Sequence, residues 1–221
     1  MISIIIPTLN EEATIGNILE KCKNYGDQII VVDGHSEDKT REIAQHLDTK
    51  VILDNKKGKG AAIRQAVSCV KGDIIVFIDA DGSHDPDDIP KLVAPILKGE
   101  ADHVTGSRLI GGSDELHGGF DEFFRLLGSS FITACINWRF KVRLSDSQNG
   151  FRSIRTDVIN KLGLKENITT IEQEMIMKTL KNGFRMAEVP AHENRRTAGY
   201  SKIKLTRVWF RYVYTLAKYL I

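Results

Sequence analysis

Ile74-Ile75-Val76-Phe77-Ile78-Asp79-Ala80-Asp81 runs from five consecutive apolar residues into two carboxylates separated by one alanine. A short apolar run rich in β-branched residues reads as a strand buried on both faces, so Asp79 and Asp81 stand where that strand leaves its sheet. Ligands of open α/β sheets gather beyond the carboxyl ends of the strands. Two carboxylates there, completed by water and phosphate oxygens, suit Mg²⁺ or Mn²⁺ bridging a diphosphate. Outward from this stretch, Ile2 to Ile6, Gln28 to Val32, Val51 to Leu53 and His103 to Thr105 are further apolar runs, alternating with helix-like segments. This β-α-β-α rhythm predicts an α/β fold with a mainly parallel central sheet flanked by helices.

Asn10 is placed to N-cap a helix carrying Ile15, Ile18, Leu19 and Cys22 at helical spacing. Asp38 or Ser36 reads as a cap for the next helix. Asp85-Pro86 opens another through Leu92, Val93 and Ile96, which Pro90 and Pro95 keep short or irregular. Thr169 with Glu172 forms a capping-box pattern before Met175, Ile176, Thr179 and Leu180. Between them, Gly111 to Gly119 is expected to loop over the site, and Phe123 to Phe140 is expected to form an apolar, aromatic helix.

With 221 residues, 42% of them hydrophobic, the chain can bury a full core. Three widely spaced cysteines, an odd number, suggest neither a disulfide framework nor a zinc cluster and fit a reducing cytoplasm. Met1 leads straight into the first strand run without the basic lead of a signal peptide. No stretch reaches the roughly 18 uncharged apolar residues of a membrane span. Arg195 to Ile221 holds seven Lys or Arg and no acid, which leaves −5 on Met1 to Asn194 out of a formal +2. Those cations sit in an apolar tail and not on an open polar face, which argues against a nucleic-acid partner. From Ile203 the polar residues Lys204, Arg207, Arg211, Thr215 and Lys218 recur at helical spacing. At about 100° per residue they form one stripe roughly 80° wide. Trp209, Phe210, Tyr212 and Tyr214 complete the pattern of a helix lying in a membrane interface; docking on the Phe123 to Phe140 helix, or on a second copy in a homo-oligomer, is the competing reading. The expected division is therefore a domain over 1–202 and a basic amphipathic helix over 203–221, cytoplasmic and peripheral on the cytoplasmic face of a membrane.

Asp33 ends the second apolar run, at the same sheet edge as Asp79, where a carboxylate can accept from a ribose hydroxyl or a base N–H. Lys57-Gly58-Lys59-Gly60 opens a helix whose free N–H groups and lysine are suited to phosphate, although it departs from the P-loop pattern.

Pro7-Thr8-Leu9-Asn10-Glu11, Asp33-Gly34-His35-Ser36, Gly58-Lys59-Gly60, Asp79-Ala80-Asp81-Gly82, Gly106-Ser107-Arg108 and Asn149-Gly150-Phe151-Arg152 follow one another along nearly the whole chain. In this order they resemble glycosyltransferase family 2, and within it the dolichyl-phosphate mannose and glucose synthases of archaeal type. The resemblance implies a GT-A nucleotide-diphospho-sugar transferase fold. It also implies inverting, metal-dependent transfer of a sugar from a GDP- or UDP-sugar donor to a polyprenyl phosphate acceptor. By position it assigns Pro7, Asn10, Glu11, Asp33, Lys59 and Asp79 to the nucleotide, and Asp79 and Asp81 to Mg²⁺ or Mn²⁺. Arg108, Arg125, Ser129, Arg195, Ser201 and Lys202 fall to the acceptor phosphate, and Asp81, Asp146 and Arg152 to the catalytic centre. Ser83 stands where the family often has Gln, which leaves the third protein ligand open, and Asn149 stands where Ser is usual. An acceptor phosphate is already an anion and needs no strong base; for a saccharide or small-molecule hydroxyl acceptor, Asp146 is the natural general base. A phosphatase of the D-x-D type would place its motif near the first strand, whereas Asp79 follows four strand candidates. A nucleotide-sugar binding module without turnover is the remaining class. The sugar and the base stay open among UDP-glucose, UDP-N-acetylglucosamine and GDP-mannose.

Overall fold

The apolar runs become strands in the computed structural model of the chain, which describes residues 1–114, 120–196 and 205–221. β1 (Ile2–Thr8), α1 (Ile15–Cys22), β2 (Gln28–Asp33), α2 (Thr40–His46), β3 (Lys50–Leu53), α3 (Lys59–Val67) and β4 (Ile74–Phe77) follow in strict alternation. A 3-10 turn at Pro86–Asp88 leads into α4 (Ile89–Leu97), then β5 (His103–Ser107), α5 (Arg108–Gly111) and α6 (Phe120–Phe140). β6 (Arg152–Arg155), α7 (Thr156–Leu162), α8 (Ile171–Lys181), β7 (Met186–Pro190) and α9 (Leu205–Leu220) complete the described chain. The strands form one sheet in the order β3-β2-β1-β4-β6-β5-β7, parallel throughout except for β6, which runs against both β4 and β5. β6 and β7 carry little hydropathy signal because Arg152-Ser153-Ile154-Arg155 is mostly polar and β7 is a half-exposed edge closing on Pro190, where proline is tolerated.

Side chains alternate between the two faces of the sheet. Ile4, Ile6, Val31 and Val76 pack under α1, α2 and α4, while Ile5, Ile30, Ile75 and Phe77 pack under α3, α7 and α8. Each such fully buried side chain contributes about 1.5–3 kcal/mol of transfer free energy. Because β2 and β3 extend one way from β1 and β4 the other, the loops after β1 and β4 diverge and open a crevice at their carboxyl ends.

Two expected caps are replaced. Asn10 adopts a left-handed φ of 55° and does not cap α1, which begins only after a turn in which Thr14 and Ile15 N–H donate to Glu11 O. Asn10 instead joins two loops, its N–H donating to Ser36 Oγ and its Oδ1 accepting from Glu37 N–H. Thr169 and Glu172 form no capping box: Thr169 Oγ1 lies 2.6 Å from the Tyr212 hydroxyl and Glu172 turns to Lys59. Asp38 holds the first turn of α2 through Thr40 N–H and hydroxyl. Of the loop expected over Gly111 to Gly119, Gly111 is the last residue of α5 and Ser113 bridges to Glu193, while 115–119 lie outside the described residues.

α9 docks on α6 and α8, and its polar stripe is partly turned inward. Thr215 is buried, Lys218 pairs with Glu166 at 2.8 Å, and Tyr212, Leu216 and Tyr219 share that inner face at i, i+4 and i+7. The reason is local: Glu166 and Thr169 present polar groups beside α9 that Lys218, Tyr219 and Tyr212 satisfy. Trp209, Phe210, Val213 and Tyr214 consequently face outward. Among the described residues, no helix is long and apolar enough to cross a membrane.

Candidate functional site

Parallel pairing of Thr8 with Asp33 and of Ile5 with Phe77 brings the ends of β1, β2 and β4 together, and Thr14 Oγ1 ties the motif loop down by donating to Ala80 O at 2.6 Å. Asp33 is fully buried. Its Oδ1 accepts from Ser36 N–H, and its Oδ2 has no hydrogen-bond partner among the described residues. Pro7, Asn10 and Glu11 line the same edge, with Glu11 N–H donating to Thr40 Oγ1.

Lys59 is the centre of the charge arrangement. Its ammonium lies 2.7 Å from Asp79 Oδ1 and 3.1 Å from Glu172 Oε1. Burial opposes its charge, but the two carboxylates outweigh it and raise its pKa above the usual lysine range. Burial likewise opposes the charge of Asp79, and Lys59 holds that carboxyl below its ordinary value. A Cβ on Gly150 would stand 3.1 Å from Asp79 Oδ2 and 3.3 Å from Lys59 Nζ, so glycine leaves this pair its room. The α3 N-terminus itself is closed: Ala61 N–H donates to Asn167 O, and a Cβ on Gly60 would meet Glu166 O at 2.5 Å. Lys59 reaches the site through its side chain, and of the N–H groups expected to be free at this turn that of Ala61 is taken by Asn167 O.

Asp81 Oδ1 accepts from Ser83 N–H and hydroxyl, and Asp81 Oδ2 lies 3.1 Å from Arg196 Nη2. Beside them His84 is buried against Phe151, and burial pushes its pKa below the usual histidine value. The Ser83 hydroxyl is spent on Asp81 and does not reproduce the reach of a glutamine. Among the described residues, no group of three or more His, Cys, Asp or Glu forms a metal cage. Two carboxylates at a cavity edge fit a hard divalent cation that draws its other ligands from water and substrate phosphates, the usual arrangement for Mg²⁺.

Further along the cavity, Arg108 clasps Asp146, with Nε 2.6 Å from Oδ2 and Nη2 3.1 Å from Oδ1, and its Nη1 lies 3.3 Å from Glu193 Oε1. Burial works against the charge of Asp146, yet Arg108 and Gln148 N–H hold its pKa below the ordinary carboxylate range. Arg125 and Ser129 of α6 line the same cavity. Arg152 does not reach it: the guanidinium is fully buried as a strut, with Nη1 donating to Glu172 O and Nε to Asn149 O, and burial lowers its pKa to about 10. Arg195 is also displaced, exposed beside a separate depression with Lys21 and Asn17, and Arg196 takes the place in the site. Ser201 and Lys202 lie outside the described residues. Sequence reading did not single out Arg196. Alternation along an extended segment after β7 would have favoured one arginine of the pair had β7 been recognised.

The cavity holds about 390 Å³. Its lining combines the charged Lys59, Asp79, Arg108, Glu172 and Arg196 with the apolar Leu109, Leu126, Phe131, Ile132, Trp209 and Val213.

Comparison with known proteins agrees with this geometry. Residues 3–163 match the family Glycosyl transferase family 2. The chain is 31% identical over 215 residues to UDP-N-acetylglucosamine--dolichyl-phosphate N-acetylglucosaminyltransferase of Methanococcus voltae, covering 86% of this chain and 84% of that protein. It is 31% identical over 230 residues to dolichol-phosphate mannosyltransferase of Pyrococcus furiosus, covering 99% of this chain and 64% of that protein. Against other curated relatives it spans as little as 46% of their length. Glucosyl-3-phosphoglycerate synthase from Mycobacterium tuberculosis, solved with Mn²⁺, uridine diphosphate and glucosyl-3-phosphoglycerate, superposes with a TM-score of 0.77 at 23% identity, over 100% of this chain and 80% of that one. That likeness supports the GT-A fold expected from the motifs. The family match over most of the chain, on this fold and around these motif residues, makes the protein a glycosyltransferase belonging to glycosyl transferase family 2.

Proposed function

We propose that the chain transfers a sugar, with inversion, from a GDP- or UDP-sugar to a polyprenyl phosphate at a membrane surface. The observation that carries this reading is one cavity lined by Asp79, by the Ser83 and Arg196 that hold Asp81, by Arg108 and Arg125, and by apolar side chains of α6 and α9. Two archaeal relatives named for dolichyl phosphate acceptors point the same way.

Pro7, Asn10, Glu11 and Asp33 would take the nucleoside, the orphan Oδ2 of Asp33 accepting one of its N–H or O–H groups. Asp79 and Asp81 would hold Mg²⁺ or Mn²⁺, which when bound neutralises the departing diphosphate. Arg108, Arg125 and Ser129 would orient the acceptor phosphate. A phosphate monoester carries about −1.5 to −2 charges at pH 7. Its oxygen attacks the anomeric carbon as the bond to the diphosphate breaks, and no proton has to move. This suits a site in which Asp146 is locked to Arg108 with a depressed pKa, poorly matched to general-base work near neutrality. The Arg108 clasp on Asp146 favours the phosphate acceptor over the hydroxyl-acceptor alternative.

The outward Trp209, Phe210 and Tyr214, with exposed Phe131 and Trp138 of α6, would rest in the lipid interface and let the acceptor keep its tail in the bilayer. Donor supply and three free cysteines fit the cytoplasmic face. The test is incubation with Mg²⁺ or Mn²⁺, a short-chain polyprenyl phosphate and a panel of nucleotide sugars, read by mass spectrometry. A lipid-phosphate-sugar product that disappears with excess EDTA and in Asp81→Asn is expected; product formed undiminished in EDTA would remove the metal from the scheme.

A further inference from the structure

Each oxygen of the D-x-D carboxylates already faces a donor of the protein itself. Lys59 Nζ lies 2.7 Å and 2.9 Å from the two oxygens of Asp79. Ser83 holds Asp81 Oδ1 through its N–H at 3.1 Å and its hydroxyl at 2.6 Å, and Arg196 Nη2 lies 3.1 Å from Asp81 Oδ2. Two acids are thus matched by two cations, with Glu172 adding a further carboxylate to Lys59. A bare divalent cation entering here meets a neutralised pair and has to separate an ion pair in a poorly solvated place, which costs more than the same exchange in water.

The two resident cations differ in how firmly they are held. Lys59 starts from a helix, is shared by two carboxylates and lies against Gly150. Arg196 belongs to the chain beyond β7, two residues after the bond from Asn194 N–H to Ser83 O, and its side chain is about a quarter exposed.

We propose that Arg196 is a charge gate on Asp81, a role that rests on the donor chemistry proposed above. It closes the pair when no donor is bound, and it passes to the donor's diphosphate when cation and nucleotide enter together. The exchange is balanced. The cation replaces the guanidinium on Asp81, and the phosphate oxygens that arrive with the cation accept the guanidinium, to which their geometry is matched. Either partner alone leaves one charge uncompensated, so cation and nucleotide bind with strong positive coupling, and by linkage each raises the affinity of the other equally. The gate selects the cation–nucleotide complex over the free ion.

The experiment measures Mn²⁺ binding by electron paramagnetic resonance of the free ion, in wild type, R196Q and R196K, with and without UDP or GDP, allowing for the Mn²⁺–nucleotide complex formed in solution. Wild type is expected to bind bare Mn²⁺ weakly, with either nucleotide raising the affinity at least tenfold. R196Q is expected to bind bare Mn²⁺ about tenfold more tightly and to lose most of the coupling, whereas R196K, which keeps the charge, retains it. Melting curves establish that the variants are folded. Equal bare-Mn²⁺ affinity and equal coupling in wild type and R196Q would overturn the gate and leave the transferase reading standing. Absence of Mn²⁺-dependent nucleotide binding in all three proteins would overturn the donor chemistry on which the gate rests.

Discussion

Asp146 takes two hydrogen bonds from the Arg108 guanidinium and one from Gln148 N–H, with almost no contact with solvent. Its folded pKa is depressed, so its contribution to stability is present above the unfolded carboxyl value of about 3.9 and is lost as pH falls through the lower folded value. Asp146→Asn leaves a buried guanidinium poorly matched and should cost about 3 kcal/mol at pH 7. In urea titrations the gap to wild type should narrow as pH drops below about 3.9; a gap unchanged down to acid unfolding would deny the carboxylate this role. Arg152 serves a different end. Replacing it with Met removes the donors to two buried carbonyls and should lower stability by about 2 kcal/mol or more while leaving the acceptor KM unchanged. A stable Arg152→Met protein with a raised acceptor KM would return this arginine to the phosphate. At this scale the motif positions of Asp79, Asp81, Asp33 and Lys59 were legible, because each sits at a strand end or helix start that hydropathy marks. The choice between Arg195 and Arg196 was not, because it depends on how the chain leaves β7, a strand without an apolar run. Nor could spacing reveal that Glu172 meets Lys59, since that contact joins helices more than a hundred residues apart.

α9 shows what periodicity reveals and what it leaves open. Its spacing announces a helix with one polar stripe, yet the stripe's direction depends on what α8 and the segment before it present. Glu166 draws Lys218 and Tyr219, and Thr169 draws the Tyr212 hydroxyl, so the helix turns polar residues partly inward and aromatic ones outward. Trp209→Ser with Phe210→Ser removes exposed apolar surface and should weaken partitioning onto anionic lipid vesicles in a sedimentation assay by several-fold, with the melting temperature unchanged. Undiminished vesicle binding would show that this face does not meet lipid. Leu216→Ala, on the buried face among Ile132, Ile136 and Ile176, should instead cost about 2–5 kcal/mol.

Across the whole molecule, the parallel half β3-β2-β1-β4 collects the donor-side residues at one edge, and the reversed strand β6 carries the chain back so that α6, α8 and α9 wall the cavity from the other side. The first half was readable because its strands are apolar and locally alternating with helices. In the second half the helices were readable but β6 and β7 were not, because these strands are held by pairing with strands already in the sheet and by buried polar contacts such as Ser153 Oγ to Leu92 O. The account centres on an acceptor that brings its own anion. The most direct measurement compares, with the same activated donor and cation, turnover of a polyprenyl monophosphate and of the free polyprenol of equal length, with the anomeric configuration of the product read by NMR. The account predicts sugar transferred to the phosphate with inverted configuration and none to the alcohol. Transfer to the alcohol at a comparable rate, or retention at the anomeric carbon, would contradict it.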